Sequence, residues 1–203
     1  MLENVVEGFT EHLARAGEPK VGQPKVTTQD SNREEFEALF VANYSRIVSV
    51  LYRMLGDRGQ AEELASEVFL KLYRQRLPQR PDGNVPGWLY RTATNAGIDA
   101  LRAAARRNRL EQAAALDGQR NRRADSSLEQ MLREEKQQRV RTVLADLRRG
   151  QAQLLLLRAS GHSYKELAAA LEIEAASVGT MLIRAEAAFE KLYREIYGAE
   201  EDV

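Results

Sequence analysis

Residues 86–109 read PGWLYRTATNAGIDALRAAARRNR, and this stretch decides the fold class. Pro86 suits the first turn of a helix, where its missing N–H costs little. Ala, Leu and Arg then dominate, and no second proline follows before Arg109. The spacing therefore predicts one long helix. On it Trp88, Thr92, Asn95, Asp99, Arg102 and Arg106 are separated by four, three, four, three and four residues, so they share one face. Leu89, Ala93, Ala96 and Ala100 form another face that can meet a core. The polar face offers an aromatic plane, an amide, a carboxylate and then guanidinium groups. An amide pairs with base edges, a carboxylate accepts from an exocyclic amine, and Arg grips phosphate. A ring stacks on an unpaired base. Each residue alone is compatible with a solvated face over a core tryptophan. The whole row, followed by Arg106, Arg107 and Arg109, points to nucleic acid.

The pattern outside this stretch is also helical. Upstream, residues 2–15 carry Leu2, Val5, Val6, Phe9 and Leu13 at helical spacing, and residues 17–32 hold two glycines and two prolines and read as a linker. Ser31 with Glu34 makes a capping-box pattern that opens a helix to Leu55, closed by Gly56. Asp57 and Gln60 cap the next helix, to about Arg76, whose core stripe is Ala61, Leu64, Ala65, Val68, Phe69 and Leu72. Residues 77–85 form a loop around Pro78 and Pro81. Downstream, residues 111–126 lack an apolar period and read as a linker between two helical units. Ser126 with Glu129 opens a helix to Leu147, and QAQLLLLRAS (151–160) continues to Gly161. Ser163 with Glu166 opens a short helix through Leu171, a turn falls at 172–174, and a last helix runs from Ala175 to Tyr197. His162, between Gly161 and Ser163, is expected in an exposed turn. The fold class is all-α: two small helical domains joined by a linker, residues 1–32 an extension, 33–110 the first domain, 111–126 the linker, 127–197 the second and 198–203 a tail.

Composition narrows the function. The 203 residues hold 30 Lys+Arg and 30 Asp+Glu, yet residues 35–110 carry 12 basic against 8 acidic side chains and residues 128–203 carry 11 against 13. The first domain is thus the better polyanion binder. No cysteine is present and only two histidines, so thiolate zinc sites and cysteine nucleophiles are excluded, and a reducing cytoplasm suits the chain. No apolar run approaches the roughly 20 residues of a membrane span, so no membrane role is expected. Glu62, Glu63 and Glu67 have no histidine to make them a metal site, and they read as an acidic solvated face. No cofactor, metal or catalytic set is expected, and the chain is read as a binding protein rather than an enzyme.

The segment SYKELAAALEIEAASVGTMLIRAEAAFEKLY (163–193) has a helix, a tight turn and a longer helix. Leu167, Ala168, Leu171, Ile173, Val178 and Leu182 would pack, with small Ala168 allowing close approach. This is the helix-turn-helix arrangement that sets a recognition helix into a major groove.

Two blocks in order, DRGQAEELASEVFLKLYR with VPGWLYRTATNAGIDALRAAARR and then the helix-turn-helix, resemble an extracytoplasmic-function type sigma factor of bacterial RNA polymerase, of the sigma-70 family. The likeness covers about residues 35–110 and 128–195. It implies that the first domain is region 2 and the second region 4, and that the partners are core RNA polymerase and promoter DNA, with an anti-sigma protein as a further candidate. It implies polymerase docking through Glu63, Leu64, Ser66 and Glu67, with Ser66 standing where the family often has Gln. It implies capture of a flipped −10 base by the loop at 77–86. Reading and melting of the −10 element fall to Asn95, Asp99 and Arg102, with Trp88 and Arg106 alongside, and −35 contact to Ser177, Thr180, Ile183 and Arg184. Gly179, Met181 and Glu186 stand where the family commonly has basic residues, so a weak −35 grip is expected. The rival readings are a helix-turn-helix regulator that acts without polymerase, which leaves the acidic helix and the Asn95 row unexplained, and a helical protein-binding adaptor.

Overall fold

The computed structural model describes residues 26–75, 84–114 and 128–198. Its elements there are α1 (Val26–Leu55), α2 (Arg58–Gln75), α3 (Val85–Ala114), α4 (Leu128–Asp146), α5 (Arg149–Ala159), α6 (Tyr164–Leu171) and α7 (Ala175–Tyr197). The all-α expectation holds among the described residues. The segments expected as a helix at 2–15, most of the 77–86 loop, most of the 111–126 linker and Ser126 lie outside them.

Helices α1, α2 and α3 pack through an aromatic and aliphatic core. Phe40 stacks on Tyr44 at 4.7 Å and meets Phe69 edge-on at 4.9 Å. Ile47, Leu51, Leu72, Leu89 and Ile98 are fully buried beside them. Burying each such side chain contributes about 1.5–3 kcal/mol. The α2 stripe read from the sequence is the core stripe, although Leu64 is only partly buried. On α3 the buried apolar set differs from Leu89, Ala93, Ala96 and Ala100: it is Val85, Leu89, Ala93, Ile98, Leu101 and Ala105, while Ala96 and Ala100 are only half-buried. Gly97 lies on this buried face, where α3 passes close to α1: a Cβ there would collide with the Met54 thioether.

Two boundaries move. α1 begins at Val26, five residues before Ser31, because nothing after Pro24 breaks a helix. α3 continues past Arg109 to Ala114, since Leu110, Glu111 and Gln112 are good helix formers, so residues 111–114 are helix rather than linker. Other signals hold in detail. Gly56 takes φ 72° after α1. Asp57 Oδ1 accepts from Gln60 N–H at 2.9 Å. The Ser163 and Glu166 capping box is complete.

The helices α5, α6 and α7 close around a second cluster of Leu154, Leu157, Leu167, Ala168, Ala170, Val178 and Leu182. The turn between α6 and α7 passes through Glu172 in the left-handed region (φ 56°). The packing residues expected of the helix-turn-helix all fall in or against this cluster.

The two halves lie against each other. Leu144, Ala145, Leu147 and Ala152 join the first cluster, and α4, α5 and α6 all pack against α3. Three arginines cross the junction to helix ends. Arg102 Nε and Nη2 donate to Ala145 O (3.1 Å) and Leu147 O (3.0 Å). Arg141 Nε donates to Met54 O at 3.1 Å, and Arg53 Nη1 reaches Ala159 O at 3.5 Å. Each meets carbonyls that lack an intrahelical partner and carry the negative end of a helix dipole. His162 is not in an exposed turn: only 8% of it is accessible. Gly161, at φ 92°, folds the chain back. The ring then sits edge-on to Tyr90 at 4.3 Å, with Nδ1 2.9 Å from Leu157 O.

Candidate nucleic-acid and partner interface

The acidic residues of α2 face outward because Ala61, Ala65, Val68, Phe69 and Leu72 take the other side. Glu63 and Glu67 are exposed, one turn apart, with half-buried Leu64 and Ser66 between them. Glu62 is engaged by Arg58 at 2.8 Å, and that contact raises the guanidinium above its ordinary value. Glu63 and Glu67 have no ion-pair partner among the described residues. Ser66 Oγ donates back to Glu62 O at 2.8 Å, so it offers little outward. The patch is a paired negative charge flanking an accessible leucine edge, suited to a cationic, partly apolar partner surface.

α3 carries the polar row as expected, but most of its groups are occupied. Trp88 is half-buried against the first cluster. Asn95 Oδ1 accepts from Arg149 Nη1 (3.1 Å) and from Gln153 Nε2 (3.2 Å). Asp99 is forked by Arg149, with Nη2 to Oδ1 at 2.6 Å and Nη1 to Oδ2 at 3.3 Å. Arg102 is turned to the end of α4. Arg106 and Arg107 remain exposed, while Arg109 pairs with Asp146 at 2.8 Å. Behind the row, Thr94 is fully buried and accepts from Gln153 Nε2 at 3.1 Å while donating to Tyr90 O at 2.8 Å. Among the described residues no buried side-chain polar atom lacks a partner, so this polar junction is satisfied.

The helix-turn-helix also leans on α3. Arg91 Nη1 pairs with Glu172 Oε2 at 2.5 Å, which holds that carboxyl below the usual glutamate range. Asn84 Nδ2 donates to Ala169 O at 3.0 Å. The outer face of α7 is free of these contacts: Ser177, Thr180, Ile183 and Arg184 are all exposed, Ile183 at 68%. Thus the structure brings Glu63 and Glu67 together on one face and the α7 set together on another. It brings Asn95, Asp99 and Arg102 together under the second half.

The partners of that row, Arg149 and Gln153, were not expected from the sequence. One signal was available: Gln153 interrupts the apolar run QAQLLLL, and a glutamine inside a buried helix needs a polar partner. Among the described residues no group of His, Asp and Glu could hold a metal ion, and no helix is long and apolar enough to cross a membrane.

Residues 39–107 match the family described as Sigma-70 region 2. The chain is 30% identical over 177 residues to the RNA polymerase sigma factor CarQ of Myxococcus xanthus, covering 84% of this chain and 93% of that protein. It is 28% identical over 170 residues to the RNA polymerase sigma-H factor of Pseudomonas aeruginosa, covering 80% and 88%. Among solved structures, the sigma factor RpoE in complex with the anti-sigma factor NepR from Bartonella quintana aligns with a TM-score of 0.46 and 18% identity, over 79% of this chain and 98% of that one.

Proposed function

The chain belongs to the extracytoplasmic-function group of the sigma-70 family of RNA polymerase sigma factors, and we propose that it binds core RNA polymerase, reads −10 and −35 promoter elements and opens the duplex to start transcription. It acts as a binding protein in the cytoplasm and performs no chemistry of its own. Residues 33–110 serve as the polymerase and −10 domain and residues 127–197 as the −35 domain. The observation that carries this is the pairing of two neighbouring helices in the matched region: α2 exposes Glu63 and Glu67 as an unpartnered acidic edge, and α3 aligns Trp88, Asn95, Asp99, Arg102 and Arg106 on one face.

The roles divide by chemistry. Glu63 and Glu67, with the edge of Leu64 and with Ser66 beside them, meet cations of the polymerase. Asn95 and Asp99 read base edges of the melted strand, Trp88 lends an aromatic surface, and Arg102 and Arg106 hold phosphate. A flipped base costs a few kcal/mol, offset by its pocket and by the polymerase. Ser177, Thr180, Ile183 and Arg184 meet the −35 duplex. Arg184 is the sole basic residue between Ala175 and Glu190, so phosphate neutralisation there is slight. Tethering on polymerase makes a weak contact sufficient. That same scarcity favours a second reading for the C-terminal half alone, as a protein-binding module.

The test is run-off transcription from genomic fragments with core polymerase, followed by mapping of start sites. The variant Glu63→Lys/Glu67→Lys should lose core binding while folding normally, because exposed acids add little to stability and like charges across an interface cost several kcal/mol. Full retention of core by that variant in a pull-down would remove the docking assignment.

A further inference from the structure

We propose that the cavity between α1 and the α5–α6 turn is a binding site for a small phosphomonoester that also carries hydroxyl or amine donors, of sugar-phosphate or nucleotide size. Ser45, Arg46 and Arg53 take its phosphate, and His162 and Glu166 take its donors. None of the residues assigned above to polymerase or promoter contact lines this cavity, so the site is independent of those roles.

The cavity holds about 390 Å³, within the range of roughly 300–1,000 Å³ usual for small-ligand sites. One side is α1. Arg46, Ser49 and Arg53 follow at spacings of three and four, so they share a face of that helix. Donors are in surplus there. Arg46 makes no hydrogen bond or ion pair among the described residues. Arg53 has one long contact, from Nη1 to Ala159 O at 3.5 Å, which leaves the rest of its fork unused. Ser49 Oγ donates to the Ser45 carbonyl at 2.8 Å, and the Ser45 hydroxyl itself has no partner. Two guanidiniums and a hydroxyl with donors to spare are the set that phosphate oxygens require.

The α5–α6 turn and α6 offer acceptors instead. His162 is buried, and its Nδ1 lies 2.9 Å from Leu157 O. A carbonyl only accepts, so Nδ1 carries the proton and Nε2 of the neutral ring is an acceptor. Nε2 has no partner. Because no fully buried side-chain nitrogen among the described residues lacks one, Nε2 keeps an accessible edge, and its ring forms part of the cavity wall. Tyr90, edge-on at 4.3 Å, holds that ring in place. Glu166 lines the same side. Ser163 N and Oγ both donate to its Oε2, while Oε1 is unpartnered. This carboxylate repels an anion, which sends the phosphate to the α1 side. Arg46 is close enough to help lower the Glu166 carboxyl, and two arginines against one carboxylate leave the cavity positive. Donors on one side and acceptors on the other select an ester with hydroxyl or amine groups over inorganic phosphate. The sides of Val50 and Tyr90 suit its carbon skeleton.

The test is calorimetric titration of the full-length chain with four probes: glucose phosphorylated at its primary hydroxyl, adenosine monophosphate, inorganic phosphate and adenosine. At least one ester should bind about tenfold or more tightly than inorganic phosphate and than adenosine. Preference for one ester identifies the ligand as a sugar phosphate or as a nucleotide, and equal binding of both supports the shared class. Arg46→Ala should weaken the ester by about tenfold, the loss of a charge-assisted contact at an exposed group. Arg194→Ala removes an exposed arginine that does not line the cavity, and it should leave the affinity unchanged. His162→Phe keeps a ring but not Nε2, so ester affinity should fall toward that of inorganic phosphate while the latter is unaltered. The native chain supplies a readout that needs no cavity variant to fold. Its only histidines are His12 and His162, so His12→Gln assigns the His162 ring resonances, which should shift on adding ester and saturate with the calorimetric curve. Ester binding no tighter than inorganic phosphate, equal losses in Arg46→Ala and Arg194→Ala, or an unmoved His162 signal at saturation would each overturn the site.

Discussion

Gly56→Ala perturbs the seam between the halves at a single carbon. Gly56 closes α1 at φ 72°, where an L side chain costs about 1–2 kcal/mol. Reduced freedom of the unfolded chain offsets about 0.4–1 kcal/mol of that, which leaves roughly 0.5–1. The larger effect comes from the other half. A Cβ at Gly56 would occupy the position of the Arg141 guanidinium, whose Nε donates to Met54 O at 3.1 Å. Burial lowers the pKa of that guanidinium, but it stays charged. Displacing it forfeits a charge-assisted bond of about 1.5–3 kcal/mol. Gly56→Ala should therefore cost about 2–4 kcal/mol in the native chain but only roughly 0.5–1 once Arg141→Ala has removed the obstacle. A double-mutant cycle in urea, followed by the fluorescence of Trp88, the sole tryptophan, should yield a coupling of about 1.5–3 kcal/mol. Strict additivity, with Gly56→Ala equally costly in both backgrounds, would refute the seating of Arg141 over Gly56.

Three further outcomes are expected. Asn95→Ala and Asp99→Ala should change base preference at one or two −10 positions in a randomised promoter library, whereas Arg106→Ala should weaken all sequences alike; identical shifts in the sequence logo would cancel that division. Arg184→Ala should reduce transcription from a −35-dependent promoter while the salt slope of duplex binding by the free chain falls by about one phosphate contact, roughly 0.9 in log–log units; indifference both to Arg184→Ala and to a scrambled −35 sequence would favour the protein-binding reading of the C-terminal half. Glu166 accepts from Ser163 N and Oγ, both at 2.7 Å, which lowers its carboxyl below the ordinary value. A depressed folded value means stability present above the unfolded glutamate pKa of about 4.3 and lost as pH falls through the folded value. Glu166→Gln should flatten the acid limb of a thermal-shift titration, and an unaltered limb would count against the capping box as an acid-sensitive element.

Sequence alone carried the helices furthest where a local rule and a core stripe agreed. The Ser163 and Glu166 box, the Gly56 stop and the 172–174 turn needed only neighbouring residues, and the last helix ran over the residues expected of it. The start of α1 and the end of α3 were missed because Ser31 and Arg109 resemble boundaries only when no helix former continues beyond them. His162 was misplaced because its burial depends on Tyr90, 72 positions away. The polar row on α3 was legible through its 3.6-residue period. Its occupancy was not, since Arg149 has no local mark that sends it to Asp99 rather than to solvent. Long-range pairs of that kind arise from how the halves dock, and periodicity within one helix contains no information about docking.

Arg53, Arg102 and Arg141 all donate to main-chain oxygen. The acceptor side of each contact is thus independent of which side chain stands there. Ala145, Leu147, Met54 and Ala159 can drift in identity as far as packing allows and still present the same carbonyl, so three of the cross-junction contacts require one fixed residue rather than a co-varying pair. The Arg149–Asp99 pair is the opposite case, side chain to side chain, where a single substitution on either partner changes the contact. Mutational drift therefore has uneven access to the junction: the three arginine contacts are buffered on their acceptor side, while the Arg149–Asp99 contact changes with a single substitution at either partner.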